Sequence, residues 1–127
     1  MPTIAGGWLG TYHFDDPRHG LPCGFEATLS AIGPDGSFSG TILDDGPLGE
    51  AVLHHARQVG NELVFTKVYR LKERSLVPVR YTGHFLNDGT HLKGNWAIFE
   101  SRRGRMSAVA TGWWEAHRTW NAPELND

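Results

Sequence analysis

Hydrophobic and polar residues alternate along most of this chain with a period of two. The run from Cys23 shows the pattern: Cys23, Phe25, Ala27, Leu29 and Ala31 fall on one side, with Gly24, Glu26, Thr28 and Ser30 on the other. That period belongs to a β-strand with one buried face. Turn residues interrupt it at Asp15-Asp16-Pro17, Gly33-Pro34-Asp35-Gly36, Asp45-Gly46-Pro47, Gly60-Asn61 and Asn87-Asp88-Gly89. Between these breaks the pattern predicts eight strands, near residues 7–14, 23–32, 37–44, 50–59, 62–71, 77–86, 91–100 and 105–117. Connections this short leave no room for a crossover helix, so the expectation is all-β: an eight-stranded antiparallel up-and-down (meander) β-barrel. Residues 48–57 also carry helical spacing at Leu48, Val52 and His55, so a short helix there is the alternative. Residues 1–117 read as a single barrel domain and 118–127 as a polar C-terminal tail, frayed or briefly helical.

Closure is predicted by a recurring glycine. Trp8-x-Gly10-x-Tyr12, Phe38-x-Gly40-x-Ile42, Tyr81-x-Gly83-x-Phe85, Leu92-x-Gly94-x-Trp96 and Ala110-x-Gly112-x-Trp114 each set a glycine between two larger residues on one strand face. Glycine weakens a strand interior and marks a bend or a close backbone approach. Bends at similar depth in several strands curl a sheet on itself. The same trios fix the inward face. It takes Phe14 on strand one, Asp44 on strand three, Leu63, Phe65, Lys67 and Tyr69 on strand five, Val79 on strand six, Ile98 and Glu100 on strand seven, and Met106 and Ala108 on strand eight. The opposite face holds Thr11, His13, Glu26, Arg80, Thr82, His84 and Lys93, as a solvated wall requires.

Composition narrows the function classes. The chain has 127 residues, enough for one domain with a core. Twelve basic against fourteen acidic residues give a net charge of −2, which offers no case for a nucleic-acid partner. The clusters Lys72-Glu73-Arg74 and Arg102-Arg103-Gly104-Arg105 fall where turns are expected and read as solvated loops. Cys23 is the one cysteine, so no internal disulfide forms; it reads as a small core residue. The N-terminus lacks a basic segment followed by an apolar one, and no apolar run approaches a membrane helix, so the expectation is a cytoplasmic protein with no membrane partner.

Gly7-Trp8-x-Gly10-x-Tyr12, Phe38-Ser39-Gly40-Thr41 after a hairpin turn, and Gly94-x-Trp96 late in the chain resemble the calycin group of avidins, lipocalins and fatty-acid-binding proteins. The resemblance spans about residues 6–115, and avidins match best in length and strand count. It implies an eight-stranded barrel holding a small ligand at one end. Asp44-Asp45-Gly46, Phe65-x-Lys67-x-Tyr69 and Tyr81-x-Gly83 are similar to stretches of small bacterial lipocalin-like proteins.

The candidate site is therefore the lumen. Trp8, Phe38, Trp96 and Trp114 supply walls; Lys67, Tyr69, Tyr81 and His55 supply polar contacts; Tyr12 and Phe65 complete the set. Lys67 carries most of the chemistry, because a buried ammonium needs a partner. Three readings stand: a structural ion pair with Asp44 or Asp45, an anchor for a ligand acid or carbonyl, or an amine acting as base or Schiff-base former. His55 points inward if Ala51 and Leu53 do, as a wall residue or a proton carrier. No spacing suits a metal or another cofactor, and no nucleophile elbow or phosphate loop is present. Trp113 faces outward, covered either by the tail with Trp120 or by a second copy in a homodimer. The expected function is binding of a small hydrophobic or aromatic ligand with an acidic or carbonyl group. A small isomerase or cyclase using Lys67, His55 or a tyrosine, and an interaction module whose rings fill the core, are the alternatives.

Overall fold

The computed structural model describes residues 3–30, 32–70 and 78–121. Eight strands follow one another: β1 Gly6–Phe14, β2 Cys23–Leu29, β3 Gly40–Asp44, β4 Glu50–Val59, β5 Glu62–Tyr69, β6 Val79–Leu86, β7 His91–Arg102 and β8 Arg105–Asn121. Each pairs antiparallel with the next, and β8 returns to β1, closing a barrel in strict sequence order. The eight-stranded antiparallel meander is thus as the alternation predicted. Residues 50–59 are strand and not helix. The predicted ends at Leu71 and Val77, and the Lys72-Glu73-Arg74 cluster, lie outside the described residues. Among the described residues no helix is long and apolar enough to cross a membrane.

The glycines do what their spacing implied. A Cβ on Gly83 would meet Trp114 Cζ2 at 2.5 Å, and one on Gly112 would strike the Trp96 ring. Trp96 thus covers a glycine of the adjacent strand β8, and Trp114 reaches past Gly94 of β7 to a glycine of β6, so both glycines make room for a ring.

The faces depart from strict alternation in two places. The β4–β5 register shifts between His54 and Arg57, and His55 takes a left-handed φ of 54°. This bulge absorbs one residue, so the inward face passes from Ala51 and Leu53 to Ala56 and Gln58. A second shift falls between Ile98 and Phe99, and the β7–β8 hairpin runs past the rim to a turn at Arg103 and Gly104. Met106 and Ala108, expected inside, are exposed on that extension.

β8 continues to Asn121, four residues beyond its expected end at 117. This extension carries Arg118, which seals one end of the barrel. Its guanidinium donates to the carbonyls of Ala5 at 2.8 Å, Thr3 at 2.5 Å and Gly89 at 3.1 Å, and stacks over Trp8 at 4.3 Å. Trp8 Nε1 donates to the Ile4 carbonyl at 2.9 Å, and Ile4 is fully buried. Trp113 is covered by neighbouring strands: it stacks on His13 at 3.9 Å, with Lys93 over its ring.

Candidate functional site

The lumen is divided. In the sealed half Trp8, Phe25, Leu29, Ile42, Leu63, Phe65, Leu92 and Trp114 interlock and leave only about 20 Å³, room for a single water. In the other half, where β1, β3, β5 and β7 end, a cavity of about 250 Å³ remains. It is lined by Tyr12, Phe14, Leu48, Lys67, Tyr69, Val79, Tyr81, Trp96 and Ile98. Tyr81 borders both spaces and stacks on Phe65 at 4.8 Å, so this ring pair forms the floor. Phe14 meets Trp96 edge-on at 5.0 Å, and Tyr12 meets Trp96 at 6.3 Å. These crossed rings hold one wall rigid.

Strand period places Lys67 in this wall. It lies two residues from Phe65 and two from Tyr69 on β5, so all three share the inward pleat. Lys67 is 2% exposed. Its Nζ lies 3.6 Å from Asp44 Oδ2, and it sits over the rings of Tyr12 and Tyr69 at 4.7 Å and of Tyr81 at 5.2 Å. Asp44, the last residue of β3, has a fully buried side chain. Its Oδ2 accepts from Tyr69 Oη at 2.5 Å and Tyr12 Oη at 3.3 Å, while Oδ1 has no hydrogen-bond partner among the described residues.

The electrostatics follow from burial. Desolvation lowers the Lys67 pKa, and the attraction of Asp44 opposes that only in part. Tyr12, Tyr69 and Tyr81 are all held well above the usual phenol value. Desolvation leads in each case; the Cys23 thiol and Asp44 add to it at Tyr12, and Asp44 adds to it at Tyr69 and Tyr81. The phenols therefore stay protonated and act as donors. The polar corner is one cation, one anion and three neutral hydroxyls, set in an otherwise apolar cup.

The structure brings Tyr12, Lys67, Tyr69, Tyr81 and Trp96 together around the cavity. Trp8, Phe65 and Trp114 belong to the packed half, and Phe38 is buried in the same core. His55 is exposed on the outer wall, because the bulge turns it there, and takes no part in the lumen. The lining residues Phe14, Val79 and Ile98 have the expected inward faces. Leu48 comes from the β3–β4 loop, where no period signals it. Among the described residues no three His, Cys, Asp or Glu side chains converge to hold a metal. No protein-family model, curated protein or solved structure matches the chain. Fold and site together describe a small closed β-barrel, sealed at one end and hollow at the other.

Proposed function

We propose that the protein is a small-molecule binder of calycin-like type, holding an apolar ligand in the cavity of about 250 Å³ with the ligand's polar end at Lys67. The observation that carries this reading is an apolar void whose lining includes a buried lysine. A barrel needing Lys67 only as a staple to Asp44 gains nothing by leaving space beside it, since a packed interior is the more stable arrangement. The volume equals about eight water-sized groups at ~30 Å³ each. That suits a single ring with a short side chain, or an aliphatic chain of similar bulk.

Charge selects the polar end. Lys67 and Asp44 already cancel one another, so a ligand carboxylate brings a second anion close to Asp44 in a low-dielectric site. A neutral carbonyl accepts one of the three ammonium N–H donors without adding charge. Carbonyl ligands are therefore expected to bind ahead of the matching acids. Packed against Phe14, Val79, Trp96 and Ile98, the rest of the ligand is read by shape alone.

Trp96 in the cavity wall reports occupancy. Titration with methyl cinnamate and with cinnamate should give saturable quenching of tryptophan fluorescence, with the ester binding more tightly. Filling the void by Ile98→Trp should remove the response while the circular dichroism spectrum stays β. Linear, non-saturating quenching by both probes, or saturation that survives Ile98→Trp, refutes the reading.

A further inference from the structure

We propose that Lys67 forms a reversible imine with a small apolar aldehyde or ketone seated in the cavity, Asp44 serving as counter-ion to the resulting iminium. The inference rests on the carbonyl-binding reading above and adds a covalent step to it.

Three features of the site support the step. Lys67 is in the cavity lining yet the residue is 2% exposed, so a carbonyl that reaches Nζ meets it in an apolar setting with little water to reverse the imine. By contrast, Lys93 lies on the outer wall over Trp113. The surroundings of Nζ also suit the product as well as the reactant. An iminium is still a cation, so the carboxylate at 3.6 Å and the tyrosine faces at 4.7, 4.7 and 5.2 Å stabilise it as they stabilise the ammonium. No charge is created or left unpaired. Finally, burial lowers the Lys67 pKa and so eases release of the proton that must leave before the amine attacks.

Protons balance within the pair. Asp44 takes one proton from the ammonium. The Nζ lone pair then attacks the carbonyl carbon, forming the C–N bond as the C=O π pair moves to oxygen. A proton passes from nitrogen to that oxygen, giving a carbinolamine. Asp44 returns its proton to the hydroxyl, which leaves as water while the nitrogen lone pair closes the C=N bond. The phenols of Tyr12 and Tyr69 both donate to Asp44 Oδ2 and hold the carboxyl in place throughout.

The full-length chain is incubated with cinnamaldehyde and cyanoborohydride, and the reduced adduct is located by intact mass and peptide mapping. The expected result is a single adduct on Lys67, absent from Lys67→Met and formed more slowly in Asp44→Asn. Mapping the unaltered chain keeps the test valid if Lys67→Met does not fold. An adduct confined to Lys93 or the N-terminal amine, or spread over surface lysines, overturns the proposal. An unchanged rate in Asp44→Asn overturns the part given to Asp44. Saturable quenching by methyl cinnamate with no reducible adduct removes the imine and leaves the binding cavity; absence of both removes the two readings together.

Discussion

Replacing Asp44 by asparagine removes the charge that Lys67 faces while keeping the shape of the side chain. Breaking a buried pair in this way costs about 3–5 kcal/mol, because the remaining charge is buried without compensation. Lys67 has an escape: it can release its proton. For a lysine with the ordinary pKa of 10.5, deprotonation at pH 7 costs about 5 kcal/mol, and each pH unit removes about 1.4 kcal/mol of that. The penalty of Asp44→Asn is therefore capped near 5 kcal/mol at pH 7 and near 2 kcal/mol at pH 9. The sign follows from proton counting. The folded variant holds Lys67 below its unfolded pKa, so the unfolded chain binds more protons and stability rises with pH towards 10.5. A chain of this size shifts its melting temperature by roughly 4 °C per kcal/mol, so the loss is about 12–20 °C at pH 7 and at most about 8 °C at pH 9. Thermal and guanidinium unfolding of both chains at pH 7, 8 and 9, followed by tryptophan fluorescence, measures it. A penalty under about 1 kcal/mol, or one independent of pH, places Lys67 in solvent-like surroundings and refutes the account of the site.

Replacing the whole pair by apolar groups, Lys67→Met with Asp44→Leu, should leave stability within about 1–2 kcal/mol of the parent or above it, so a double-mutant cycle at pH 7 returns a large coupling. Gly83→Ala places a methyl group 2.5 Å from Trp114 and should cost about 1–3 kcal/mol, read by denaturant unfolding. Arg118→Ala removes donors to Thr3, Ala5 and Gly89 and the stack on Trp8; it should cost about 2–4 kcal/mol and speed amide exchange at the start of β1 more than in β6.

The architecture was legible because its signals are local. Alternation places each strand, turn residues end it, and the glycine trios mark which pleat faces in. Lys67 could be placed inside on the same grounds, and Asp44 named as a partner, because both fall on pleats fixed by neighbouring aromatics. His55 was misplaced because one left-handed residue at a bulge reverses every face beyond it, and nothing in Leu53-His54-His55-Ala56 announces that turn. Met106 and Ala108 follow the right period on a hairpin that has already left the barrel. Arg118 was missed for a different reason. Its role depends on the register of β8 against β1, with a shift between Gly7 and Trp8 that brings chain positions more than a hundred residues apart together. Depth within the lumen was equally hidden, since period two tells inside from outside but not hollow from full.

That unevenness of depth is what leaves the barrel a cavity. Phe25, Phe65 and Trp114 fill one half, which the Trp8–Arg118 contact closes. The other half has comparable walls but ends strands β3 and β5 on Asp44 and Tyr69, with Lys67 two residues further in. A purely structural core places its ion pair, if it has one, where packing is densest, because desolvation must be offset by close partners on every side. Here Lys67 is in the lining of the void with Asp44 behind it: Asp44 Oδ1 has no hydrogen-bond partner among the described residues, and the ammonium stands 3.6 Å from the carboxylate, beyond the ~2.7–2.9 Å of a close charged hydrogen bond. Polar capacity is left unspent beside empty apolar space. A ligand bringing a carbonyl to Lys67 and a ring to Trp96 would use both at once.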